Sequence, residues 1–288
     1  MIHFIVNCRS GKGLGHKTLK KLCDYCYKHN LAFTAHTTGA PKHATEIAKK
    51  LCDSGAETII AVGGDGTFNE VLNGIIDFEK TTLGFIPAGR GNDYARACKL
   101  SLKPIAALQA ILRGKICYSD YIEIGDKRCL NVAGTGLDVS VLQRVDGKTD
   151  KITYLKSLVY CLKNFEPFKF NVSIDGGEPN YHETIMIGVC NGTSIGAGLK
   201  ISPHSDIADG KLNLVIVHVM PKILKALLDL KKNGKHIKMP YSEHYLCDSV
   251  TITPFEDNNY PIQIDGEIYK DKTLTAKIIK GGLRTFVV

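Results

Sequence analysis

The chain has 288 residues, 44% apolar and 23% charged, and its 37 basic against 29 acidic side chains give a formal net charge of +8. These values fit one large or two medium folded domains and exclude a disordered, collagen-like or low-complexity protein. The positive excess suits nucleotide phosphate or an anionic membrane surface, whereas no aromatic-and-basic RNA signature or zinc-finger spacing speaks for nucleic acid.

In chain order, "IHFIV" at 2–6 predicts a strand, "NCRSGKGLG" a glycine-rich loop, and residues 17–29 a helix. "AFTAHTT" predicts a second strand and residues 43–53 a second helix. "ETIIAV" is a third strand, followed by a helix from Thr67 with Phe68, Val71, Leu72 and Ile75 on one side. "TTLGFI" is a fourth strand ended by Pro87, and residues 93–98 start another helix. Strands alternating with helices predict a parallel, doubly wound sheet. The pattern changes near residue 115. "KICYSDYIEI", "KRCLNVAG", "FKFNVSI", "HETIMIGVC", "KLNLVIVHV", "SVTIT", "PIQID" and "TLTAKII" read as short, mostly antiparallel strands, with helices near 151–163 and 221–232. The expected organisation is α/β plus all-β: a doubly wound α/β domain over 1–125 and an antiparallel β-sandwich domain over 126–288, with "LRTFVV" free to return to the first.

The opening residues carry no charged leader and no run approaches the ~18 apolar residues of a membrane span. The expectation is a cytoplasmic protein that meets the inner membrane face peripherally, with its ten cysteines as thiols. Cys23 and Cys26 form a C-x-x-C, but Leu19, Leu22, Cys23, Cys26 and Tyr27 share a helical face, which points both thiols to the core rather than to zinc.

The stretch "AVGGDGTFNEVLNGI" concentrates Gly63, Gly64 and Gly66 around Asp65 where a buried strand meets a helix. Glycines there let the backbone approach a ligand, and the helix start offers unpaired N–H groups and a positive dipole end: an anion site. Asp65 would repel a phosphate unless Mg²⁺ lies between them; otherwise it is a helix cap and the glycines a turn. "LGFIPAGRGNDYARA" repeats the plan with Gly89, Gly91, Asn92 and Asp93, where Asn92 or Asp93 is on its own a plain N-cap. Asp120, in "YSDYIEI", reads alone as a solvated strand residue. "SDIADGKL" reads as a turn, and "IQIDGEIY" as a hairpin.

"GGDGTFNEVLNGI" followed by "IPAGRGNDYAR", together with "SGKG", "NVAGTGLD", "SPHSDIADGKLNLVIV" and "IDGE", resembles the diacylglycerol-kinase catalytic family, in particular its bacterial soluble lipid kinases. The resemblance runs over nearly the whole chain and implies an NAD kinase/phosphofructokinase-like first domain that binds ATP. It implies nucleotide contacts from Thr38, Gly63, Gly64, Asp65, Gly66, Thr67, Phe68 and Asn69, with Arg90 and Asn92 beside them. It implies a catalytic Mg²⁺ near Asp65, Asp93 and Asp120, largely through water, and a second, structural Mg²⁺ held by the Asp209 carboxylate and the carbonyls of Asp206 and Lys211. Glu267 inherits the role of proton acceptor with Asp265 as its charged neighbour, in a cleft between the domains. The acceptor implied is a hydroxyl of a lipid at the membrane surface, diacylglycerol or a related glycerolipid. The chain departs from the family pattern at Arg90, where Thr or Ser is usual, at Asn7-Cys8 for Asn-Pro, and at Lys42-His43-Ala44 for Gly-Asp-Ala. Arg90 is itself suited to a bidentate phosphate contact, while Arg9 and Lys12 read equally as phosphate ligands or solvated loop residues.

The alternative is an NAD kinase or other small-molecule kinase sharing the glycine-aspartate loop; a homodimer is compatible with either. Residues 221–240, with six lysines, one aspartate and an apolar side of leucine and isoleucine, suit an anionic membrane or a surface helix packed on the β-domain, and "KITYLKSLVYCLKNF" is a weaker case of the same kind.

Overall fold

Strands β1 (Ile2–Val6), β2 (Phe33–Thr37), β3 (Thr58–Gly63) and β4 (Thr82–Pro87) lie in the order β2-β1-β3-β4, every neighbouring pair parallel. The computed structural model describes residues 1–145, 151–164, 166–195, 198–219, 235–256 and 258–286. β3 and β4 are near-continuous apolar runs because both faces of the sheet are covered. On one face Phe4, Val6, Ile60, Val62 and Ile86 pack against Leu22 and Cys26 of α1 (Ser10–Lys28) and Leu108 and Ile111 of α5 (Pro104–Leu112). On the other, Phe85 stacks on Phe68 of α3 (Asp65–Gly74) at 4.5 Å between ring centroids. Each of these fully buried side chains contributes roughly 1.5–3 kcal/mol. Helix α2 (His43–Asp53) crosses α3 closely: a Cβ on Gly74 would stand 2.5 Å from the Thr45 carbonyl oxygen.

The predicted α/β elements agree closely, with three differences. α1 begins at Ser10, but Gly11, Lys12 and Gly13 at φ 59°, 59° and 88° interrupt it, so the expected loop persists as a left-handed turn. Cys26 is core, whereas Cys23 is only part-buried and Tyr27 is exposed, because the face that Leu22 and Cys26 share is narrower than the apolar pattern. All ten cysteines are free. Helix α5 was not anticipated: it is apolar on nearly every side and started by Pro104, so it lacks the amphipathic period that reveals a surface helix.

The chain forms two compact units, Met1–Tyr121 with Lys280–Val288, and Ile122–Ile279. Strand β5 (Ile116–Ile124) carries it out of the first, four residues before the expected boundary, and β17 (Leu274–Phe286) brings it back, with Thr285 parallel to Leu83.

The second unit is antiparallel. After β6 (Lys127–Cys129) and β7 (Val132–Gly136), helices α6 (Leu137–Val145) and α7 (Lys151–Lys163) precede β8 (Phe168–Ile174) and the long β9 (Asn180–Cys190). β9 pairs with β8 through its first half and with β7 through its second. Short β10 (Ser194–Ile195) and β11 (Leu199–Lys200) form a separate pair. β12 (Leu212–His218) lies between β9 and β13 (Ser242–Cys247), and β14 (Ser249–Pro254) between β8 and β17. β12 is apolar apart from Asn213 and the terminal His218 because its side chains alternate between two cores: Leu212, Leu214 and Ile216 on one side, Val215 and Val217 on the other with α6 and α7. Leu158, Cys161 and Leu162 of α7 help to fill that second core. The predicted helix near 221–232 lies outside the described residues. Among the described residues no helix is long and apolar enough to cross a membrane.

Candidate active site

Since β1, β3 and β4 are parallel neighbours, their C-terminal ends open on one edge, and the strand order reverses there between β1 and β3, where open α/β sheets bind ligands. Each strand runs into a glycine loop, at residues 7–15, 63–66 and 88–92, and the loops touch through backbone. A Cβ on Gly89 would stand 2.4 Å from the Gly64 Cα, and one on Gly11 2.5 Å from the Ala88 carbonyl oxygen. Ser10 Oγ donates to Ala88 O at 3.1 Å, Asn7 Nδ2 to Thr67 Oγ1 at 3.2 Å, and Ala88 N–H to Gly63 O at 2.6 Å. Gly66 differs from these: a Cβ there would meet nothing within 4 Å. The fold does not need a glycine at 66, whereas a ligand lying against the backbone would.

Helix α3 starts at Asp65, two residues earlier than expected, with Gly64 as N-cap and no side-chain cap. Its first amides therefore lack a side-chain acceptor, which together with the helix dipole suits phosphate oxygens. Thr67 is buried under the loop. Phe68 is fully buried and packs on Phe85 and Tyr94, so its ring belongs to the core, and any contact it makes at the helix start is through its backbone. Asn69 is part-buried and accepts from the Asn73 amide through its carbonyl and Oδ1 at 2.9 and 3.0 Å. Thr38 follows β2 on the same edge, its N–H on Val6 O at 2.9 Å. Arg9, Lys12 and Arg90 are exposed cations on these loops. Asn92 occupies the N-cap position of α4, as its place in the sequence suggested, but its side chain does not cap the helix. It sits at φ 52° and clamps its own loop, accepting from Gly89 N–H at 3.0 Å and donating to Gly89 O at 3.1 Å.

The capping is done instead by Asp65, whose Oδ1 accepts the Tyr94 N–H at 3.1 Å in the first turn of α4 (Asp93–Ala97). Asp65 Oδ2 makes no hydrogen bond among the described residues. Asp93 opens α4, buried, 3.8 Å from the Arg96 guanidinium. Tyr94 is buried and donates through its hydroxyl to Ser119 Oγ at 3.2 Å; burial holds that hydroxyl protonated far above its ordinary range. Asp120, next to Ser119, is buried and accepts the Gly281 N–H at 2.7 Å, which rules out a solvated strand residue. One aromatic residue thus links all three acids, through its chain neighbour Asp93, its amide on Asp65 and its hydroxyl beside Asp120. Oxygen-only donors of this kind fit Mg²⁺, and the uncapped amides fit a polyphosphate.

In the second unit, β15 (Ile262–Ile264) and β16 (Glu267–Tyr269) form the hairpin that "IQIDGEIY" predicted, with Asp265 at φ 48° and Gly266 at φ 88° in its two-residue turn. Asp265 does not act as a free carboxylate partner. Its oxygens accept the N–H groups of Leu130, Asn131 and Val132 at 2.6, 2.9 and 3.2 Å, tying the hairpin to the "NVAG" segment. Burial pushes its carboxyl above the ordinary range, and those three amides pull the other way. Glu267 is exposed and accepts the Tyr269 O–H at 3.0 Å. Asp206 and Asp209 each close a tight turn, accepting Ala208 N–H at 3.1 Å and Lys211 N–H at 2.9 Å, while Lys211 Nζ pairs with Asp248 at 2.7 Å. Two residues passed over in the sequence stand out. Tyr94 lies inside a quoted motif, but its linking role depends on contacts distant in sequence. Asp138 is buried in the first turn of α6, and its carboxyl, with neither oxygen hydrogen-bonded among the described residues, is pushed up to about 6 by burial.

Residues 1–124 match the family described as "Diacylglycerol kinase catalytic domain", and residues 131–287 match the "YegS C-terminal NAD kinase beta sandwich-like domain". The chain belongs to the diacylglycerol kinase catalytic-domain family. As a member it is an enzyme of the lipid kinase class, with an α/β domain followed by a β-sandwich domain. The diacylglycerol kinase of Staphylococcus carnosus is 29% identical over 270 residues, covering 91% of this chain and 87% of that protein; that of Staphylococcus saprophyticus is 28% identical over 274 residues with the same coverage. A solved Bacillus anthracis structure shares the fold at TM-score 0.82 and 24% identity, covering 100% of this chain and 96% of its own. An NAD kinase from Archaeoglobus fulgidus, solved with ATP, shares the fold at TM-score 0.58 and 13% identity, covering 99% and 93%.

Proposed function

We propose that this kinase transfers the γ-phosphoryl group of ATP to a hydroxyl of diacylglycerol or a related glycerolipid presented at a membrane surface. The observation that carries the nucleotide half is Gly66, a glycine that the fold does not require, beside an uncapped helix start and an acid with one uncommitted oxygen. The lipid half rests on the family and on the names of its curated relatives.

In this reading the backbone amides at the start of α3 hold the β- and γ-phosphates, and Thr38, Asn69 and Arg90 contact the rest of the nucleotide. Asp65, Asp93 and Asp120 hold Mg²⁺, largely through water; when bound, the ion neutralises charge developing on the transferred group. Glu267 orients the acceptor hydroxyl and takes its proton, and Asp265 keeps the Glu267 hairpin in place through the three amides it binds. The 206–211 loop holds a second, structural Mg²⁺ with the Asp209 carboxylate and the Asp206 and Lys211 carbonyls.

Incubation of the protein with labelled ATP, Mg²⁺ and mixed micelles of diacylglycerol, phosphatidylglycerol and a sphingoid base, with NAD in a parallel arm, tests the reading. A phosphorylated glycerolipid is expected, and phosphorylated NAD with no lipid product would overturn it. Glu267→Gln is expected to abolish turnover while leaving ATP affinity within about twofold, since the change removes the base without altering the phosphate site. Full turnover in that variant would refute the assignment of the base.

A further inference from the structure

We infer that His182, His218 and Glu243 form a binding site for a borderline divalent metal of the Zn²⁺ class, separate from the residues assigned to phosphoryl transfer. They come from three adjacent strands, β9, β12 and β13, and their ligand atoms all lie within 4.8 Å of one another; among the described residues they are the one group of three metal-ligating side chains so placed.

The sheet brings them together by a specific device. β12 and β9 run in register from Asn213↔Cys190 to Val217↔Met186, and then a bulge pairs His218 with Thr184 instead of residue 185. Without the bulge His218 would stand opposite the alternate face of β9. With it, His218 shares a face with Thr184 and hence with His182, two residues along the strand. On the other side Glu243 pairs with Ile216, which shares the face of His218. Bulges that re-aim one side chain occur preferentially at functional positions.

The hydrogen bonds point the same way. His218 Nδ1 lies 3.2 Å from the Glu183 carbonyl oxygen, and His218 Nε2 lies 2.5 Å from Glu243 Oε1. Both atoms facing the ring are acceptors. If Nδ1–H donates to the carbonyl, the Nε2 lone pair points at a carboxylate lone pair, and a cation must bridge them. A proton can serve, but it needs only these two groups and gives no reason for His182, whose ring stacks on His218 at 5.8 Å between centroids. A metal ion uses all three. A carbonyl on the far nitrogen is the usual second partner of a metal-bound imidazole, fixing the tautomer that presents the other nitrogen.

The rest of the shell agrees. The Tyr245 hydroxyl donates to Glu243 Oε2 and orients the carboxylate. Two imidazoles and one carboxylate suit Zn²⁺ with water in the fourth position, and Mg²⁺ and Ca²⁺, which take oxygen ligands, are poor competitors. Bond lengths of about 2.0–2.2 Å require the His218 and Glu243 ligand atoms to part by under ~1 Å from their present contact. The bound ion would pin three strands together.

The test uses the full chain, stripped of metal, titrated with Zn²⁺ alone in the presence of excess Mg²⁺. Wild type is expected to take up one Zn²⁺ per chain at this site, with a raised melting temperature, and the imidazole nitrogen NMR signals of His182 and His218 should shift. His182→Gln with His218→Gln should weaken that uptake at least ~10-fold and abolish the rise in melting temperature. Undiminished uptake in the double variant would assign the metal to cysteine thiols and overturn the proposal. So would zinc that leaves both imidazole signals of wild type unmoved, a readout that stands even if the variant folds poorly.

Discussion

Replacing Gly66 by alanine separates what the fold asks of the glycine loop from what a ligand asks of it. Gly66 is an exposed residue in the first turn of α3, and a methyl group there meets no protein atom within 4 Å. In a helix alanine is favoured over glycine by roughly 0.5–1 kcal/mol, so the variant should melt about 1–4 °C higher than wild type. If nucleotide phosphate lies against these amides, the same methyl stands between them. Losing one charge-assisted hydrogen bond costs about 1.5–3 kcal/mol, or roughly 10- to 100-fold in ATP affinity. The two effects have opposite signs, so loss of folding cannot imitate loss of the site. Gly89→Ala is the control. Its methyl would collide with the Gly64 Cα at 2.4 Å and Asn92 Oδ1 at 2.8 Å, so stability and affinity should fall together, stability by about 1–3 kcal/mol. Calorimetric titration with Mg-ATP and a thermal melt decide the matter. A Gly66→Ala protein that is as stable as wild type or more so, and binds ATP equally well, would refute a phosphate site on this helix.

Asp138→Asn tests the cause of a raised carboxyl. Its folded pKa of about 6 lies above the ordinary 3.8, so the folded protein holds a proton that the unfolded chain releases, and stability from this group falls as pH rises between those values. At about 1.4 kcal/mol per pKa unit the loss approaches ~3 kcal/mol by neutral pH. The asparagine variant should therefore gain on wild type from pH 4 to pH 7 in urea unfolding, and a difference independent of pH would contradict the burial argument. Asp265→Asn keeps an acceptor for only part of the Leu130–Val132 amide set and should lower stability by about 1.5–3 kcal/mol in the same assay, whereas an unaltered midpoint would remove the anchoring role.

Period and punctuation in the sequence determined the α/β half. Strands β1 to β4 and helices α2 and α3 fall within two residues of their predicted bounds, because apolar strands, amphipathic helices and glycine loops are local signals. The same holds for the turn at Asp265-Gly266, where Asp265 at φ 48° and Gly266 at 88° adopt the left-handed conformations that Asp-Gly announces. Spaced motifs, taken together, also pointed to the kinase family. What a side chain does inside those motifs depended on contacts far along the chain. Asp65 caps a helix that begins at residue 93, Asp120 binds an amide at 281, Asp265 binds amides at 130–132, and the Phe68 ring is core. Local sequence sets φ, ψ and periodicity. Which acceptor meets which donor across a hundred residues is set by strand order and register, and those belong to the folded chain alone.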